Sequence, residues 1–260
     1  MDYNDILCEE DQGIFRIVFI RPESMNAFTN SMTDELLNAL EFAAKNQDIK
    51  VVIIAGSGRA FSAGGDIKTL AAGLDTLSGR DYVEKIGGIV KLISGIEKPV
   101  IAEVNGFAVG SGCNVALACD IVIASDKARF SQGFLQIGLA PDGGGSYLLP
   151  RLIGLRKAKE LVFSGKMLDA EEAERIGLIN KVVKSEELET TVKEMARQFA
   201  NGPTRAIGFS KLLLNRSSGL DLNDALANEA YIQGICMQTN DHKEGIQAFL
   251  TKRTPKFTGD

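Results

Sequence analysis

Two apolar runs, residues 51–55 and 100–104, each lead into a glycine-rich bend: Phe61-Ser62-Ala63-Gly64-Gly65-Asp66 after the first, and residues 106–112 after the second. A run without polar alternation reads as a strand covered on both faces, and such strands sit in parallel sheets flanked by helices. The rest of the first half repeats the alternation. Strand patterns at 14–20 and 120–124 are interleaved with helical patterns at 33–45, 67–72, 82–96 and 112–119. In the first of these helices Leu36, Leu37, Leu40 and Ala44 share a face, and in the third Val83, Ile86, Val90 and Ile93 recur at helical spacing. The fold class is α/β, built from repeated βα units.

The second half changes character. Residues 156–163, 170–175, 186–200, 203–215 and 222–237 read as helices, and five helices after a β/α core form a cap or an oligomer interface, because each apolar face needs cover. No low-complexity linker separates the halves, and 260 residues suit one large domain. The expected division is a β/α core over 1–200 and a helical region over 201–260.

The bends carry the chemistry. Glycine permits unusual backbone angles and close approach, so each bend exposes backbone N–H groups to a ligand. Two such bends are able to aim two donors at one oxygen, which is the geometry of an oxyanion hole. The alternative at this point is a pair of ordinary tight βα turns.

Several classes are excluded by what the chain lacks. It has one histidine, His242, in the polar stretch Asp241-His242-Lys243-Glu244-Gly245, which reads as a solvated helix. That leaves no Ser-His-Asp or Cys-His chemistry and no histidine-rich metal site. Cys8, Cys113, Cys119 and Cys236 lack the paired short spacings of zinc or redox motifs and read as reduced thiols. Gly56-Ser57-Gly58-Arg59-Ala60-Phe61 begins like a dinucleotide fingerprint, but Phe61 stands where the third glycine belongs. A net charge of −5 offers no general attraction to nucleic acid or to an anionic membrane. No apolar run reaches the roughly 20 residues of a membrane span, and the N-terminal residues lack a signal-peptide pattern, so a cytoplasmic location is expected.

Five strings carry a family resemblance: Arg21-Pro22-Glu23-Ser24-Met25-Asn26-Ala27-Phe28, Ala60-Phe61-Ser62-Ala63-Gly64-Gly65-Asp66-Ile67, Lys98-Pro99-Val100-Ile101-Ala102-Glu103-Val104-Asn105-Gly106, Ala118-Cys119-Asp120-Ile121 and Phe249-Leu250-Thr251-Lys252-Arg253. In this order and spacing they resemble the enoyl-CoA hydratase/isomerase, or crotonase, superfamily. The resemblance implies a crotonase-like spiral of βαβ units with a C-terminal helical trimerisation region. It also implies a homotrimer or dimer of trimers and an acyl-CoA thioester substrate, with coenzyme A entering only as part of that substrate.

Further roles follow from the same resemblance. The oxyanion-hole amides match Gly65 and Ser111. CoA would lie along Met25, Ala27, Ala63, Gly64, Gly65, Asp66 and Ile67, with Lys252 or Arg253, from a neighbouring subunit, at its phosphates. The acyl group would lie among residues 69–91. Asp66 also reads as a helix N-cap.

The carboxylates decide the reaction. The two glutamates of the family's hydratases match Asn114 and Phe134 here, and neither side chain acts as a general acid or base. Instead the loop Gly138-Leu139-Ala140-Pro141-Asp142-Gly143-Gly144-Gly145 carries an acid where the resemblance to double-bond isomerases places the base. Phe134, Leu135, Leu139 and Leu148 are expected to keep the site dry and to raise the pKa of Asp142. The sequence leaves three readings: an isomerase using Asp142, a hydratase in which Asp142 alone activates water, and a non-catalytic acyl-CoA-binding subunit.

Overall fold

The computed structural model describes residues 3–260. Among the described residues ten strands lie in two sheets. They are β1 (Ile6–Asp11), β2 (Ile14–Phe19), β3 (Val51–Gly56), β4 (Ala60–Ser62), β5 (Val100–Val104), β6 (Phe107–Val109), β7 (Ile121–Ser125), β8 (Arg129–Ser131), β9 (Leu168–Asp169) and β10 (Lys181–Val183). The larger sheet has the order β1-β2-β3-β5-β7-β10, parallel except for the β1–β2 hairpin. The smaller has the order β4-β6-β8-β9, parallel except at β8–β9.

The two sheets share one repeating unit. Each of β3, β5 and β7 leaves the larger sheet, turns within a few residues and becomes β4, β6 or β8 in the smaller one. A helical segment then returns the chain: α1 (Asn30–Lys45) precedes the first unit, α2 (Ile67–Ala71) and α3 (Thr76–Gly95) follow β4, α4 (Ser111–Ala118) follows β6, and α5 (Gly145–Ile153) comes after β8. This is the expected spiral of βα units. The expectation missed the second strand in each turn: at three residues, each is too short for periodicity to register. Phe61 and Ser62 therefore belong to β4, and the first bend proper is residues 63–66.

Alternation explains why β3 is apolar throughout. Val52 and Ile54 join the core beneath α1 and α3, while Val51 and Ile53 face the opposite layer, packing with Leu188, Val192, Ala196 and Ala200 of the later helix 188–200. Glu103 is a buried acid in β5; its Oε1 accepts from Arg16 Nη2 at 2.9 Å. Helix α3 starts at Thr76, six residues before the expected start, because Asp75 caps it by accepting from the Leu77 and Ser78 amides. Its buried face is Tyr82, Ile86, Ile89 and Ile93, so Val83 and Val90 lie at the edges of the face.

Beyond β8 come α6 (Leu155–Ser164), α7 (Ala170–Arg175), α8 (Leu188–Ala200), α9 (Thr204–Ser217), α10 (Leu222–Cys236) and α11 (Asn240–Leu250). Helix α9 is pinned to the core by Lys211, a buried cation whose Nζ donates to the carbonyls of Ile93 and Lys98 and pairs with Asp120 at 2.8 Å. Helix α10 has no buried residue, and Tyr231 is 78% and Phe249 84% exposed. His242 is exposed in the first turn of α11, as expected. Cys113 and Cys119 are buried free thiols that burial pushes up in pKa, to about 12 for Cys113. No helix among the described residues is long and apolar enough to cross a membrane.

Candidate active site

The bend at residues 63–66 is held from beneath by the segment before α1. Asn26, fully buried, donates from Nδ2 to the carbonyls of Ser57 and Ala60 and accepts from the Arg21 amide. Ser62 Oγ donates to the Asn26 carbonyl and accepts from the Gly64 N–H. Three backbone bonds then align the strings: Ala63 N–H to Met25 O, Phe28 N–H to Gly64 O, and Asp66 N–H to Phe28 O. The rings of Phe28 and Phe61 both pack on Phe19, with centroids 5.7 and 5.3 Å away, and anchor the bend.

This pairing decides where the Gly65 N–H points. Phe28 bonds to the residues on either side of Gly65, so in a parallel bridge the amide of Gly65 faces the other way. Ser111 is the first residue of α4, where a helix amide has no partner within the helix. Gly64 brings the two together. Its φ is +86°, and a Cβ there would stand 2.6 Å from Val109 O and 3.2 Å from Ser111 N. Gly65 and Ser111 both line one cleft of about 750 Å³. The positive end of α4 adds to the field at Ser111.

Asp142 lines the same cleft. Its Oδ1 is buried and has no hydrogen-bond partner in the protein. Burial raises its carboxyl to about 6. Phe134, Ile137 and Leu139 form the apolar wall around it, with Leu70, Ala71, Leu74 and Val83 from the segment expected to hold the acyl group, and Ile67 just before that segment. Two of the four residues expected to dry the site are elsewhere. The 3-10 turn at Gly133–Ile137 sends Phe134 inward and leaves Leu135 exposed, while Leu148 packs against the hydrophobic core.

Asn114 departs more sharply from expectation. It is fully buried and does not line the cleft; it bonds instead to the main chain of the Asp142 loop. Asp66 caps α2 through the Thr69 amide, as its position suggested. Ala63, Gly65 and Ile67 line the cleft, whereas Met25, Gly64 and Asp66 adjoin it through the backbone pairing, and Ala27 lies in the paired segment between Met25 and Phe28 without bonding to the bend itself. Lys252 lies beyond α11, with φ at +54°, and is not brought to the cleft within this chain. Arg253 is engaged by Glu244 in a two-pronged ion pair.

Tyr82 was not singled out by sequence reasoning. Its hydroxyl donates to the Phe28 carbonyl at 2.6 Å and sits 3.3 Å from where a Gly65 Cβ would be. Burial, with the charges of Asp142 and Asp66, raises it to about 12, so it stays a donor. Only the helical spacing of α3 hinted that it faces inward.

The family model described as enoyl-CoA hydratase/isomerase matches residues 9–260. Crotonyl-CoA hydratase of Syntrophomonas wolfei is 38% identical over 258 residues, covering 99% of both chains. The 1,2-epoxyphenylacetyl-CoA isomerase of Escherichia coli is 35% identical over 257 residues, covering 98% of both. The crystal structure of an enoyl-CoA hydratase from Bacillus anthracis superposes with a TM-score of 0.95 at 32% identity, covering 99% of this chain and 100% of that one. The crotonase fold, the paired glycine bends and the match along nearly the whole length lead to one conclusion: this chain belongs to the enoyl-CoA hydratase/isomerase family.

Proposed function

We propose that the protein is an enoyl-CoA isomerase in which Asp142 carries a proton between two carbons of an acyl thioester. The observation that supports this reading most is the Asp142 carboxyl, which lines the cleft with one oxygen unpartnered while no other carboxylate among the described residues lines it. Asn114 and Phe134 stand where a hydratase would keep its two glutamates. A 1,3-proton shift needs one base, whereas hydration needs water to be both held and activated.

In this reading the thioester oxygen of a 3-enoyl-CoA accepts from the Gly65 and Ser111 amides. The Asp142 carboxylate takes a proton from C2, and the electrons of the broken C–H bond move into a dienolate stabilised by the two donors. The protonated carboxyl then returns the proton to C4, leaving the double bond between C2 and C3. A carboxyl near 6 is a stronger base than an ordinary aspartate and is still ionised at neutral pH. The apolar wall keeps bulk water from the dienolate.

CoA runs along Met25, Ala27 and residues 63–67, and no other cofactor takes part. Lys252 reaches the phosphates of CoA bound to a neighbouring subunit. The exposed apolar faces of α10 and α11 support a homotrimer or a dimer of trimers, assembled through residues 201–260.

The test offers the purified protein a 3-enoyl-CoA and crotonyl-CoA in parallel. Rapid isomerisation with slow hydration is expected. Hydration faster than isomerisation would favour a hydratase in which Asp142 activates water, and binding without turnover would favour a non-catalytic subunit.

A further inference from the structure

The loop that carries Asp142 is tied to the body of the fold by two buried amides. Asn114, in the first turn of α4, donates from Nδ2 to the main-chain carbonyl of Asp142 at 2.8 Å. Its Oδ1 accepts from Gln132 Nε2 at 2.8 Å. Gln132 is 3% exposed and follows β8, so the relay begins in the smaller sheet and ends on the loop. The same carbonyl also accepts from the Gly145 N–H at 3.0 Å. The loop is seated directly on Asn114, since any Cβ at Gly145 would collide with the Asn114 amide.

The relay has a polarity. A carbonyl needs a donor, so Asn114 must turn Nδ2 to Asp142 and Oδ1 to Gln132, and Gln132 must answer with its own NH2 group. An ionised acid at position 114 would bring an oxygen to the carbonyl and hold nothing. The hydratase-like residue and the tethered loop are therefore incompatible at this position.

We propose that Asn114 and Gln132 are positioning residues that fix Asp142 over the cleft through its own main chain. Holding the carbonyl sets the peptide plane after Asp142, and with it the direction of the Cα–Cβ bond that carries the carboxyl. Proton transfer at carbon is sensitive to such placement, and small displacements cost large factors in rate. This inference rests on Asp142 being the base, and it explains why an amide stands at position 114.

Gln132→Glu tests it with almost no change in volume. While the new carboxyl is protonated, its O–H donates to Asn114 Oδ1 and keeps the relay. Once ionised it only accepts, so the Asn114 amide turns to donate to it and releases the Asp142 carbonyl. The expected profile is a kcat equal to that of wild type at low pH and a deficit of about tenfold or more relative to wild type at the same pH as pH rises, with little change in KM. Gln132→Met, which donates at no pH, is expected to show the same loss throughout. In 13C NMR its Asp142 carboxyl should titrate closer to an ordinary aspartate, as the freed loop admits water.

If both variants keep the wild-type kcat profile and the wild-type Asp142 titration, the proposal is wrong. Asp142→Asn, assayed alongside, separates the two claims. If it alone abolishes isomerisation, the base stands and the relay falls. If it retains activity, the base assignment fails and takes the relay with it.

Discussion

Gly64 and Ser111 belong to different turns of the spiral, yet the space where a Gly64 Cβ would sit is 3.2 Å from the Ser111 amide nitrogen. The spacing of the two proposed donors is thus set by a contact that only a residue without a side chain permits.

Gly64→Ala is expected to cost about 1–2 kcal/mol of stability from its left-handed φ alone, with further loss from the collision at Val109 O. Activity should fall more than stability does, by on the order of a hundredfold, the cost of losing one oxyanion donor. Urea unfolding and kcat/KM measured on the same preparation check both.

Asp142 links pH to stability with a definite sign. Its folded-state carboxyl, raised to about 6, holds a proton more tightly than the unfolded chain does, with its ordinary value of 3.8. Wild type and Asp142→Asn should therefore differ least below pH 3.8. Wild type should lose ground as pH rises toward 6 and stay level above it. Denaturant midpoints of the two proteins across that range test the point.

The pH profile of isomerisation follows from the same group with the opposite benefit. The base works only when ionised, so kcat/KM should rise through about pH 6 and then level off. A profile flat down to pH 4.5 would mean that another group takes the proton.

Lys211 makes the docking of α9 depend on one buried charge. Lys211→Met leaves Asp120 and two carbonyls facing an apolar side chain. The expected loss is about 3–5 kcal/mol, the usual result of stranding a buried partner. Because α9 leads into the exposed helices through which the proposed trimer would assemble, that trimer should also be weaker in the variant by analytical ultracentrifugation.

Much of this was legible in the chain. The runs at 51–55 and 100–104 announced strands buried on both faces because residues on each face meet a separate apolar layer. Gly65, Ser111 and Asp142 were picked out through the family resemblance of their motifs, and all three line one cleft. The short strands of the smaller sheet were not, since three residues carry no period. Nor was the role of Asn114. It looked like a lost acid, but its partners, Gln132 and the Asp142 carbonyl, lie far along the chain and are brought to it only by packing. Leu148 was misplaced for a similar reason: proximity to Asp142 in sequence says little about which way a helix turns its side chains.

Lys252 and Arg253 adjoin in sequence but differ in availability. Arg253 is held by Glu244, which it keeps well below the usual carboxylate range, at about 2. Lys252→Ala should raise KM for an acyl-CoA about two- to five-fold, the size of one exposed ionic contact. It should leave KM for the matching acyl-pantetheine unchanged, because that substrate lacks the nucleotide phosphates.

The most direct measurement is the kcat of Asp142→Asn with a 3-enoyl-CoA at pH 8, with a folded state and CoA-ester affinity like those of the wild type verified on the same sample. The asparagine preserves shape and removes the base, so kcat should drop by on the order of 10²–10⁴ while the ester still binds. An unchanged kcat would contradict the account, because no other carboxylate among the described residues lines the cleft to take the proton.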